Sequence, residues 1–161
     1  MSDRLVQIAN TKAGKGDTAA WKQRLDARRA KALQALEGNA TRSHLKRLLQ
    51  ISLDPSNTNE LRDYAFDRVG DVRSKEAIPH LWPMFQRAGC AGSKCDAAGK
   101  LEKRLRWRAG EMILSIGGPG IITEFLKRMP GQGGVQYEPE ELEGYATVSY
   151  THLTLPTTPY V

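Results

Sequence analysis

The sequence predicts an all-α fold built from paired helices. Apolar residues recur at helical spacing in six successive segments, residues that cap or end helices separate these segments, and none shows the alternation of a strand. The chain has 161 residues, which is enough for one domain or a short repeat array. Hydrophobic residues make up 40% and aromatic residues only 7%, so small and aliphatic side chains must form most of the core.

The first predicted helix pair covers about residues 17–53. It follows a polar, glycine-containing lead-in, residues 1–16, which we expect to be flexible. The first helix begins near Asp17 or Thr18, since either side chain can accept a hydrogen bond from a free N–H of the first turn. The apolar positions of this pair are Trp21, Leu25, Ala32, Leu33, Leu36, Leu45, Leu48, Leu49 and Ser52.

Two further pairs are predicted over about residues 57–87 and 100–129. Asn57 and Glu60 have the spacing of a capping box and predict the start of the second pair. Pro83 should kink or shorten the last helix of this pair. The predicted inward positions are Leu61, Tyr64, Ala65, Val69, Ile78, Leu81, Trp82, Phe85, Leu101, Leu105, Ala109, Met112, Ile113, Ile116, Ile122, Phe125, Leu126 and Met129.

The start of a further helix is predicted at 138–147. Pro139 suits the first turn of this helix, and the neighbouring glutamates favour its positive N-terminal end. No later segment is predicted to cover this helix, so we expect Leu142 and Tyr145 to be exposed.

The second and third pairs share a residue pattern. It comprises Leu61-Arg62, Ala65 and Val69-Gly70-Asp71 in one, and Leu105-Arg106, Ala109-Gly110 and Ile116-Gly117-Gly118 in the other. These stretches resemble the HEAT-repeat family of α-solenoids. The resemblance implies antiparallel helix pairs, each closing the open apolar face of the pair before it. It also implies a carboxylate partner for Arg106 in a neighbouring repeat, for which Asp63 and Asp67 are candidates.

The last fourteen residues differ in composition from the rest of the chain. Residues 148–161 contain no acidic or basic residue apart from His152, whereas Glu138–Glu143 is strongly acidic. The string Val148–Thr157 resembles the translation of a transposon adapter used in preparing sequencing libraries. We therefore predict that residues 148–161 are a non-native or disordered tail, and that the natural sequence continues differently after about Thr147. A natural tail rich in threonine and proline is the alternative.

The positive charge of the chain is concentrated in its first third. Residues 1–50 carry eleven basic and four acidic residues, and the remainder is nearly balanced. Basic residues on the first, second and fifth predicted helices form a candidate surface for an anionic partner, or else the solvated faces of these helices. The candidates are Lys22, Arg24, Arg28, Arg29, Lys31, Arg42, Lys46, Arg47, Lys103 and Arg104.

No set of catalytic or cofactor-binding residues stands out in the sequence. Cys90 and Cys95 are interpreted as a structural pair, either free thiols or a disulfide, because a zinc site would need two more ligands. His44 and His80 lie on predicted helices and are expected at the surface. Iron-binding HEAT enzymes that resemble deoxyhypusine hydroxylase use repeated His-Glu pairs, and the sequence contains none. We therefore predict no enzyme activity, no cofactor and no metal site.

Together these observations predict a non-catalytic protein-interaction scaffold, a fragment of a longer HEAT-repeat protein. The alternative is a nucleic-acid-binding helical-repeat module that uses the basic faces of the first and fifth helices. No apolar run approaches the roughly 18 residues of a membrane span, and no signal peptide is evident. A cytoplasmic location is the default expectation, and a disulfide between Cys90 and Cys95 would favour an extracytoplasmic one.

Overall fold

The fold is all-α, as the helical periodicity predicts. The computed structural model of the chain describes residues 1–86, 97–129, 137 and 139–154, which contain eight α-helices and no strand. The chain divides into two compact units, Met1–Ser74 and Lys75–Val161. Cys90 and Cys95 lie outside the described residues.

Unit 1 contains four helices: α1 (Ser2–Ala9), α2 (Ala19–Ala35), α3 (Leu45–Leu53) and α4 (Asn59–Val72). A 3-10 turn over Arg42–His44 leads directly into α3. Helix α2 packs against α1 and α4, and α3 packs mainly against α4. The core of the unit therefore lies between α4 and its two neighbours.

Helix α1 corrects the prediction that residues 1–16 form a flexible lead-in. Val6 and Ala9 are fully buried, and α1 packs on α2. The segment 2–9 is short and partly charged, but its apolar residues fall on one side of a helix. Tertiary packing of this side stabilises a helix that would be too short to form alone.

Threonines begin both long helices of unit 1. The Thr18 hydroxyl accepts a hydrogen bond from the Trp21 N–H, and the Thr58 hydroxyl accepts one from the Leu61 N–H. Thr18 was one of the two predicted caps of α2. The predicted capping box that begins at Asn57 is wrong, because Thr58 is the capping residue of α4.

Unit 2 contains α5 (Ile78–Phe85), α6 (Ala97–Gly117), α7 (Ile122–Arg128) and α8 (Pro139–Thr154) among the described residues. Short 3-10 turns over Lys75–Ala77 and Pro119–Ile121 precede α5 and α7. Helix α6 packs against α5 and α8. It ends where Gly118 adopts a φ of 70°, a conformation that glycine tolerates without steric cost.

The end of the chain departs from two expectations. Helix α8 continues through residue 147 to Thr154, so the prediction of a disordered tail does not hold for residues 148–154. Tyr145 is buried rather than exposed, whereas Leu142 is exposed as expected. Residues 155–161 lie outside the described part of the chain.

Candidate functional site

The candidate basic residues divide into exposed and buried ones. In unit 1, Arg29 is buried, and in unit 2 Lys103 is half-buried. The remaining candidates are exposed: Lys22, Arg24, Arg28, Lys31, Arg42, Lys46 and Arg47 in unit 1, and Arg104 in unit 2. Unit 1 thus carries the larger exposed basic surface.

Four residues form a continuous stripe on the solvent side of α2. Trp21, Arg24, Arg28 and Lys31 follow at spacings of three, four and three residues, which places them within about 80° of the helix circumference and along about 15 Å of its axis. We call this group the α2 stripe. Trp21 was predicted to face inward, but its side chain is 51% exposed because it lies on this outer side.

The cations of the α2 stripe are not used to hold the fold together. Within the described part of the chain, the side chains of Arg24, Arg28 and Lys31 make no hydrogen bond or ion pair. The charged ends of such long basic side chains stay hydrated until a partner supplies an anion. The stripe is therefore available for binding.

Arg29 has the opposite role and is removed from the candidate surface. Its Nε donates to the carbonyl of Ala9 at 2.7 Å, its Nη1 to Asp26 Oδ1 at 3.1 Å, and its Nη2 to Asn57 Oδ1 at 2.9 Å. Asn57 in turn donates to the carbonyl of Ile51 at 3.0 Å. This buried arginine joins the end of α1, the middle of α2 and the connection between α3 and α4.

A second buried arginine in unit 1 binds a helix end in the same way. Arg62 Nε donates to the carbonyl of Ser52, the penultimate residue of α3, at 3.0 Å. Ala9, the partner of Arg29, is likewise the last residue of α1. The last carbonyls of a helix lack intrahelical partners and carry partial negative charge, so a buried cation satisfies and stabilises them.

His44 is also buried, contrary to the expectation of a surface histidine. The Thr41 backbone N–H donates to His44 Nδ1 at 3.1 Å, so Nε2 carries the proton and donates to Asp3 Oδ1 at 2.7 Å. This hydrogen bond is the main reason that the pKa of Asp3 is lowered. The pair attaches α1 to the turn before α3. His80 is exposed, as expected.

An ion pair joins the connection between α1 and α2 to the connection between α3 and α4. Lys12 Nζ donates to Asp54 Oδ2 at 2.7 Å, and the hydroxyl and N–H of Ser56 donate to Asp54 Oδ1 at 2.6 and 2.9 Å. These hydrogen bonds, that of Lys12 first, hold the pKa of Asp54 well below its usual range.

Asp54→Asn should make unfolding less sensitive to acid. A carboxyl group whose pKa is depressed by folding stabilises the fold above its unfolded pKa, and this contribution is lost as the pH falls through the folded pKa. Thermal melts between about pH 5 and pH 2 should therefore show a smaller loss of stability in the variant than in the wild type. Lys12→Met, which removes the first of the donors, should change the profile in the same direction. Parallel profiles for wild type and both variants would contradict this assignment.

Unit 2 contains a buried ion pair between α6 and α8. Arg106 Nη2 donates to Glu141 Oε2 at 2.7 Å and Arg106 Nε donates to Glu141 Oε1 at 3.1 Å, and both residues are almost completely buried. The hydroxyl of Tyr145 also donates to Glu141 Oε1, at 2.6 Å. Burial opposes the charge on Arg106, but the hydrogen bond and charge of Glu141 outweigh it and raise the pKa of Arg106. The sequence had suggested Asp63 or Asp67 as its partner, and it did not single out Glu141.

Aromatic rings pack around Tyr145, which donates a hydrogen bond to this ion pair. Phe85 stacks on Phe125 at 4.5 Å, and the ring of Tyr145 meets both edge-on at 5.8 and 5.2 Å. Gly110 lets α8 approach α6, because a Cβ at this position would lie 2.7 Å from the hydroxyl oxygen of Tyr145. Burial, followed by the hydrogen bond to Glu141, raises the pKa of Tyr145, so its hydroxyl stays protonated and keeps donating.

A shallow depression lies beside the α2 stripe in unit 1. It has a volume of about 490 Å³ and is lined by Gln23, Asp26, Ala27, Thr58 and Glu60. Ala27 is exposed and forms the edge of the depression that lies nearest to the stripe on the helix circumference. The depression therefore has cations on one side and the carboxylates of Asp26 and Glu60 on the other.

No group of three or more histidine, cysteine, aspartate or glutamate side chains is arranged to hold a metal ion among the described residues. In the same part of the chain, no helix is long and apolar enough to cross a membrane. Comparisons with protein-family models, with curated proteins and with solved structures found no match.

Proposed function

We propose that this protein is a non-catalytic protein-interaction module of HEAT-like helix pairs, and that it binds an acidic protein partner through the cations of the α2 stripe in unit 1. The observation that carries the proposal is the contrast on α2. Arg29 is buried and fully used by the fold, whereas Arg24, Arg28 and Lys31 are exposed and make no bond within the described residues. Charges held on one face and left unused by the fold favour recognition of a complementary partner.

The order of elements supports the HEAT-like part of this proposal. A long helix is followed three times by a 3-10 turn and a shorter helix, over residues 19–53, 59–85 and 97–128. Each long helix contains buried arginine: Arg29 in α2, Arg62 and Arg68 in α4, and Arg106 in α6.

Affinity capture tests the proposed function. The full chain serves as bait with and without nuclease treatment, beside a variant with Arg24→Glu, Arg28→Glu and Lys31→Glu. Lys22→Glu is the matched control, because Lys22 is exposed on the same helix but lies about 100–180° around it from the four stripe residues. We expect the wild type and the control to retain the same proteins after nuclease treatment, and the triple variant to lose them. Equal capture by all three proteins would overturn the proposal.

A nucleic-acid-binding module is the second candidate, and Trp21 favours it. An exposed aromatic ring in line with arginines provides a stacking surface for unpaired bases beside cations for phosphates. If Arg24, Arg28 and Lys31 each neutralise one phosphate, the affinity for a single strand should fall with salt with a log–log slope of about −2. Binding that is weak and insensitive to salt would rule out this candidate.

A further inference from the structure

We propose that the α2 stripe is the docking site for an acidic amphipathic helix of the partner protein, which lies along Ala27 between the stripe and the carboxylates of Asp26 and Glu60. This inference rests on the proposed function and deepens it, because it specifies the shape of the partner and the path that the partner takes along α2.

The spacing of the stripe fits one face of a second helix. Its members follow at three, four and three residues, the spacing at which residues on facing helices meet along a common seam. Acidic residues at the same spacing in a partner helix would each reach one of the three cations. Trp21 at the end of the stripe offers a large, half-exposed ring of the type that anchors protein interfaces.

Small residues beside the stripe permit close packing. Ala20, Ala27 and Ala35 are exposed on the same side of α2. Helices pack at about 8–10 Å between axes, and small side chains at the contact allow the shorter distances. The depression of about 490 Å³ next to Ala27 has room for side chains of a partner.

The charges on the two sides of this path favour a helix over a nucleic acid. One side is formed by Arg24, Arg28 and Lys31, and the other carries Asp26 and Glu60. Asp26 is paired with Arg29, whereas Glu60 is exposed at the start of α4. A polyanion lying in the depression would bring phosphates near these carboxylates, which is unfavourable. An amphipathic helix can meet the cations with glutamates on one edge and Glu60 with a lysine on the other.

Defined probes test this inference with the 161-residue chain. The first is a synthetic helical peptide of about 18 residues with glutamates at the spacing of the stripe and one lysine on the adjacent edge. The second peptide has the same composition in scrambled order, and the third probe is an oligothymidylate of equal charge. Fluorescence anisotropy gives the Kd of each labelled probe at the same salt concentration.

We expect the patterned peptide to bind about tenfold more tightly than the scrambled one. Arg28→Glu should weaken its binding about tenfold, and Lys22→Glu should change it less than about twofold. Glu60→Lys should weaken binding of the patterned peptide, because the new lysine repels the lysine of the peptide. It should not weaken binding of a second patterned peptide that has glutamine in place of that lysine. Circular dichroism of each variant verifies that the helix content is unchanged.

Equal binding of the patterned and scrambled peptides would overturn the inference, as would tighter binding of the oligothymidylate. The capture experiment distinguishes this failure from failure of the proposed function. If the triple variant still loses its captured proteins while the peptide pattern has no effect, the interaction module stands and the docked helix is wrong. If capture does not depend on the stripe either, both are wrong.

Discussion

Glu141→Ala should destabilise unit 2 by about 3–5 kcal/mol, because it leaves a buried cation without its counter-charge. Arg106 is 1% exposed and Glu141 is inaccessible to solvent, so water cannot replace the lost partner without opening the contact between α6 and α8. The hydroxyl of Tyr145 loses its acceptor in the same step. Chemical denaturation followed by circular dichroism measures the change in the free energy of unfolding.

The replacement of both charges is the control for this prediction. A variant with Arg106→Met, Glu141→Leu and Tyr145→Phe keeps similar volume but leaves no unpaired charge or hydroxyl, and it should recover most of the stability lost in Glu141→Ala. A loss in the single variant below about 1 kcal/mol would show that Arg106 and Glu141 do not form a buried pair in solution.

Arg29→Ala should have the second-largest effect, a loss of about 3 kcal/mol, because three acceptors lose their donor together. The carbonyl of Ala9 ends α1, Asn57 belongs to the connection before α4, and Asp26 lies on α2. Hydrogen exchange should therefore quicken first in residues 2–9, since Arg29 holds the end of α1.

Arg28→Ala is the matched comparison, because it removes a side chain of the same type from the adjacent position of the same helix. Arg28 is exposed and makes no bond among the described residues, so its removal should change stability by no more than about 0.5 kcal/mol. A similar loss from both variants would contradict the division of α2 into a buried and an exposed side.

Periodicity was sufficient to predict the helices α2 to α7, but not α1. Helices α2, α4 and α6 each repeat their apolar spacing over several turns, so local sequence predicts them. Helix α1 has only eight residues and depends on packing against α2. The apolar residues of this segment do fall on one side of a helix, but a helix of this length is stable only through contacts that are distant in sequence.

The roles of individual polar residues depended on tertiary structure in a way that the sequence does not reveal. Arg28 and Arg29 are adjacent, identical in type and equally basic, yet one faces solvent and the other is buried. A rotation of about 100° between neighbours decides this, and only the position of α1 and α4 determines which side is covered. In the sequence, Glu141 is a favourable charge near the N-terminus of a predicted helix. Its pairing with Arg106 depends on where α8 packs, which the sequence does not show.

The most direct test of the proposed binding surface is the capture of protein partners by the Arg28→Glu variant, measured together with its melting temperature. We expect a melting temperature close to that of the wild type and a clear loss of the captured proteins, because Arg28 serves binding and not folding. An unchanged set of captured proteins would contradict the proposed surface. A large fall in melting temperature would contradict the assignment of Arg28 to the solvent side of α2.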